Sequence, residues 1–216
     1  MRRWITLLVA LVMLMVVPGN ALADAPERFE FGGDSASAFW FEEDGDVVRF
    51  TDARLNVGEF TFDGETVEQV SFDLFMGEFG PEGFTDVFGF AELTPDQFEL
   101  DASGGSFSAS VETELILEGQ TCAFDGSPFG ACDPIGPFEV TVVIEWSEAT
   151  GRVYPASFTG RSHGPFGFNF FTSRSLARFT TATGEVTGEM EIVLGGSEEA
   201  SISRETSTDR FRFTVS

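Results

Sequence analysis

The stretch GSFSASVETELILE, Gly105–Glu118, decides the fold. Phe107, Ala109, Val111, Thr113, Leu115 and Leu117 share one phase; Ser106, Ser108, Ser110, Glu112, Glu114 and Glu118 share the other. Successive side chains of an extended chain point to opposite faces, so a period of two marks a strand with one dry face and one wet face. A sheet with one wet face is of the antiparallel kind. Phe138–Ser147 repeats the pattern, with Phe138, Val140, Val142, Ile144 and Trp146 inward.

The same reading extends outward. Ala36–Glu43 and Asp46–Leu55 flank Asp44-Gly45, a hairpin signal. Val57–Asp63 follows, and Asp63-Gly64 marks the next turn. Thr66–Phe79 places Val70, Phe72 and Leu74 on one face, and the Phe-rich run Gly83–Leu93 reads as buried on both sides. Later strands are predicted at Val153–Gly160, Phe166–Ser173, Leu176–Ala182, Glu185–Leu194, Ala200–Arg204 and Arg210–Val215. Helical periodicity is nearly absent. Roughly ten to thirteen strands at this spacing predict one all-β domain. The expected form is an antiparallel β-sandwich, with a closed or partly open antiparallel β-barrel as the alternative. The chain has 26 Phe against three Trp and one Tyr. Phe carries no polar tip, so most of these rings are expected in the core.

The first residues set the expected compartment. Arg2 and Arg3 precede an apolar run from Trp4 to Val17, and Ala21-Leu22-Ala23 supplies a small-x-small site. This is the layout of a cleavable secretory signal over residues 1–23, leaving one domain over 24–216. The run is short for a membrane span. Secretion to an extracellular or cell-envelope space is therefore expected, without membrane attachment after cleavage. In an oxidising space, Cys122 and Cys132, the two cysteines of the chain, read as one disulfide. Their spacing matches no known redox or metal pair.

The chain holds no Lys; its 12 basic residues, all Arg, face 36 acids. Such a surface repels nucleic acid and anionic membrane, which both need cationic contacts. The charge is uneven. Residues 149–184 contain no acid, yet carry Arg152, Arg161, Arg174, Arg178 and the single histidine, His163. A guanidinium binds carboxylate or phosphate at two points, so Arg161, His163, Arg174 and Arg178 form the candidate anion patch. The competing expectation is that these arginines pair with acids on adjacent strands.

Other chemistry finds less support. His163 sits in Ser162-His163-Gly164-Pro165, a turn, and no Gly-x-Ser-x-Gly elbow occurs. Glu42-Glu43-Asp44-Gly45-Asp46 lacks the ordered spacing of a calcium loop. Glu189-Met190-Glu191-Ile192-Val193-Leu194 lacks the last acid of a glucanase strand. No cofactor, no metal and no catalytic residue are expected. The expected function is a non-catalytic binding or structural extracellular domain, engaging a small-molecule anion or an extracellular partner. One alternative is a lipocalin-like barrel whose Phe residues line a cavity for an apolar or acidic ligand. Another is a hydrolase or isomerase using His163.

Overall fold

The computed structural model describes residues 27–62, 64–103, 105–124, 131–164 and 167–213. Side chains are described for these apart from residues 27, 162–164, 167–169 and 210–213. The expected signal segment and its cleavage site lie outside the described residues.

Twelve strands run in chain order: β1 (Glu27–Asp44), β2 (Val47–Phe62), β3 (Glu65–Gly80), β4 (Gly83–Glu92), β5 (Phe98–Asp101), β6 (Phe107–Ala123), β7 (Ala131–Ala149), β8 (Tyr154–Gly164), β9 (Gly167–Thr180), β10 (Ala182–Gly188), β11 (Ile192–Leu194) and β12 (Glu199–Phe213). All pairings are antiparallel. They form one sheet in the order β11-β10-β7-β6-β4-β3-β2-β1-β12-β9-β8, with β5 beside β6. The all-β antiparallel class read from Gly105–Glu118 is therefore the observed one.

Hydrogen bonding is continuous through a single sheet, and its end strands β11 and β8 do not pair, so no barrel closes. The sheet instead turns its two halves toward each other, bringing β7 against β9 and β12 against β6. One core fills the space between them. Its largest fully enclosed side chains are Phe72, Leu55, Leu74, Leu117, Ile144, Ile202, Val111, Val142 and Val186. Two indoles stitch the halves together. Trp146 Nε1 of β7 donates to Ser37 O of β1 at 2.9 Å, and Trp40 Nε1 of β1 donates to Gly195 O at 2.8 Å. The backbone of β1 can be reached at Ser37 because its inner-face neighbours there, Ala36 and Ala38, are small, as is Ala53 of β2 opposite Ala38.

Several expectations change in detail. β2 runs through Asn56 without a break, while β9 and β12 each join two strands that the sequence separated. Gly188, at φ 115°, splits Glu185–Leu194 into β10 and β11. Gly45, at φ 64°, closes the β1–β2 hairpin as Asp44-Gly45 predicts.

The largest correction concerns phenylalanine. Among the described residues, only Phe72 and Phe107 are buried. β4 is not dry on both sides, since Phe88 and Phe90 are each about half exposed. Alternation puts Phe39 and Phe41 on the face opposite Ala38 and Trp40, and the small inner residues mark the side that faces the core. The phenylalanines that a ligand-holding barrel would need inside thus stand mostly outside.

Candidate functional site

The disulfide forms between Cys122 of β6 and Cys132 of β7, a cross-strand pair with Cα atoms 4.0 Å apart. The loop it closes lies mostly outside the described residues.

The four residues of the expected anion patch lie on the β8–β9 hairpin, at one edge of the sheet. Register places Arg174 opposite Ser157, Arg161 opposite Phe170 and His163 opposite Phe168. All four positions therefore share one phase. At about 3.3 Å per residue, Arg174 is about 13 Å along the strand from Arg178 and a similar distance from Arg161. They share a face without converging on one point.

Arg178 has a separate task. It is buried, and its Nη1 donates to Gly105 O at 2.6 Å and Ala149 O at 3.0 Å. Its guanidinium stands 4.8 Å from the centre of the Phe107 ring. These contacts tie β9 to the start of β6 and the end of β7, so Arg178 belongs to the core seam. Arg161 and Arg174 are exposed. The His163 side chain lies outside the described ones.

The sheet brings other arginines to the same end. One row across four strands reads Arg28, Arg210, Phe170, Arg161, and a second reads Arg212, Phe168, His163. Arg28 forms an ion pair with Glu30. Nothing local in the sequence predicted this row, because it depends on β1 pairing with β12, residues more than 170 positions apart.

A second surface was missed altogether. On the outer face of β1, β2, β3 and β4, ring contacts run from Phe41 through Phe39, Phe50, Phe79 and Phe84 to Phe124. Centroid separations along this run lie between 5.5 and 6.4 Å, the range of interacting aromatic pairs. Gly77 makes part of it flat: a Cβ there would stand 2.5 Å from the Phe50 ring. Beside the run, Phe88, Phe90 and Ile116 line an open, shallow depression with Glu118. Phe79, Phe88, Phe90, Phe124 and Ile116 are between 44% and 58% exposed. The signal was present in the sequence as Phe on the phase opposite Ala36, Ala38 and Trp40.

A second aromatic group, Phe29, Phe31 and Phe60, lies toward the other end of β1 and β2. Between the two groups the outer face is polar. Ser35 and Ser37 bond Ser203 and Ser201, and Arg54 holds Asp52.

Side-chain hydrogen bonds shift the ionisation of several exposed groups. Asp101 is held below the usual carboxylate range, first by the Ser103 hydroxyl and then by the Ser103 amide. Asp96 is lowered chiefly by the Thr94 hydroxyl. Arg204 is raised by its two-point bond to Asp34, at 2.7 and 2.8 Å. In the acidic hairpin, Arg49 bonds Glu78 at 2.6 Å and approaches Asp44 at 3.9 Å. Among the described residues, no group of three or more His, Cys, Asp or Glu is arranged to hold a metal ion.

No family model matches the chain. No curated protein matches it either. Among solved structures, an outer membrane channel from Pseudomonas putida F1 is similar over 90% of this chain and 99% of that chain, at 9% identity and a TM-score of 0.20. A likeness at that level carries no inference about this chain.

Proposed function

We propose that this protein is an exported, non-catalytic binding domain that works through its outer aromatic face. The observation that carries the reading is the run of neighbouring rings from Phe41 to Phe124, in which Phe41, Phe79 and Phe124 are exposed and Phe39, Phe50 and Phe84 half-buried. Soluble proteins seldom leave contiguous apolar surface uncovered unless it is used. Rigid rings on neighbouring strands also lose little side-chain entropy on binding. Export is supported by the charged, apolar and small-residue order of residues 1–23. A cross-strand disulfide fits an oxidising space. The polar belt between the two aromatic groups argues against immersion in lipid, which demands an apolar band there.

The test is native mass spectrometry of the secreted protein joined to titration with the apolar dye bis-ANS. The expected result is an unloaded chain that binds the dye while folded, with most of that signal lost in the Phe79→Ser, Phe88→Ser double variant. A tightly held small molecule, together with dye binding indifferent to both substitutions, overturns the reading.

A second reading is favoured by one observation, the register row that places Arg28 and Arg210 on neighbouring strands and Arg161 two strands further on, across Phe170. In it, the β8 edge holds a small anion such as inorganic phosphate. Charge reversal at Arg161 abolishes that binding while leaving the dye signal intact.

A further inference from the structure

We infer that the occupant of the outer aromatic face is a cationic, apolar polypeptide segment. This rests on the reading of that face as a binding surface and adds the chemistry of its partner. Charge complementarity carries it. The register places Asp86, Glu92, Glu114 and Glu118 on the same face as the rings and the Phe88–Ile116 depression. Glu43 joins them beyond Phe41 on β1. Among the described residues of β1, β2, β3, β4 and β6, the one cation on this face is Arg54, and both oxygens of Asp52 engage it, at 3.2 and 3.3 Å. The face is thus apolar at its centre and anionic at its rim.

That combination selects among occupants. A second copy docking through the same face would set its carboxylates against these, and like charges across an interface are repelled. An anionic bilayer is repelled in the same way. A segment carrying Lys or Arg between apolar side chains meets both requirements at once. Its apolar groups cover the rings. Its cations reach the carboxylates by charge-assisted hydrogen bonds, and aromatic faces add a cation–π attraction.

The experiment is calorimetric titration of the full mature chain with three synthetic probes. These are an alternating Lys–Leu peptide, an alternating Lys–Ser peptide and an alternating Glu–Leu peptide. The Lys–Leu peptide is expected to bind about tenfold or more tightly than the Lys–Ser peptide, and the Glu–Leu peptide not at all. Phe79→Ser with Phe88→Ser removes the preference for Leu over Ser. Asp86→Asn with Glu118→Gln weakens binding and reduces its dependence on salt. An unchanged unfolding midpoint in each variant confirms that the sheet is intact.

Equal affinity for the Lys–Leu and Lys–Ser peptides reduces the effect to charge alone and overturns the inference. So does Lys–Leu binding that survives both Phe substitutions. Association into dimers that the Phe pair abolishes points to a second copy instead, and Phe-dependent uptake by neutral phosphatidylcholine vesicles points to lipid. If the face binds bis-ANS but no peptide, the partner class fails while the binding face stands. If the dye also ignores the Phe pair, both readings fail.

Discussion

β6 and β1 alternate with the same period and use it in opposite ways. In β6 the large residues Phe107, Val111, Leu115 and Leu117 face the core, and glutamates and serines face water. In β1 the core side carries Ala36 and Ala38 before Trp40, and the phenylalanines stand on the other face. The difference comes from what lies across the sheet. Trp146 reaches from β7 to the β1 backbone, and a large side chain at Ala38 would occupy the space it crosses. Period two therefore reveals a strand and its two faces, while residue size across the core decides which face is buried.

The comparison can be broken most severely at Phe72 and Phe88, identical residues on opposite faces. Phe72→Ala is expected to cost about 3–5 kcal/mol through the lost burial and the cavity left behind. Phe88→Ala should stay within about 0.5 kcal/mol, as exposed positions do. Denaturant midpoints for the two variants measure the contrast, and equal losses would refute the assignment of faces.

Next in size is the disulfide, which belongs to the β6–β7 side. Reducing it should lower stability by about 3 kcal/mol by the chain-entropy argument for so short a loop. The check is a denaturant series with and without reductant. On the β1 side, Ala38→Leu should cost about 1–3 kcal/mol by overpacking against the indole. Near-ultraviolet circular dichroism of the tryptophans reports whether the indole is displaced.

The seam between the halves comes third. Arg178→Met should lose about 2 kcal/mol, because the carbonyls of Gly105 and Ala149 are left without their charged donor. The loss should persist at high salt, unlike that of an exposed ion pair such as Arg49–Glu78.

The smallest effect is in acid. Asp96 and Asp101 ionise more readily in the folded chain than in the unfolded one. Their contribution is complete above the ordinary carboxylate value and disappears as pH falls through their lowered values. Asp101→Asn should therefore lower stability at neutral pH and flatten the acid limb of a stability–pH curve, the two proteins converging as pH falls.

Much of the fold could be read from the chain. The alternation of Gly105–Glu118 and Phe138–Ser147, the hairpin at Asp44-Gly45 and the two cysteines each led to the observed element, because each rests on neighbours in sequence or nearly so. The expected count of roughly ten to thirteen strands includes the observed twelve, but single strands were split where polar residues interrupt a run, since pairing on both sides carries β9 and β12 through such interruptions. The candidate sites were less legible. Arg178 reads as a surface cation until its carbonyl partners, contributed by residues 29 and 73 positions away, are placed. The aromatic face was misassigned because Phe was weighed by its type rather than by its phase relative to Ala36, Ala38 and Trp40.

One pairing has a consequence for synthesis and folding. β1, the first described strand, is joined along most of its length to β12, the last. A chain delivered N-terminus first presents one unpaired side of β1 until residue 199 and those after it arrive. The β1–β2 hairpin can form early, yet the β8–β9 edge can join it only through β12. Completion of the sheet is thus tied to the arrival of β12, and a product ended before it would retain an open strand edge next to exposed phenylalanines.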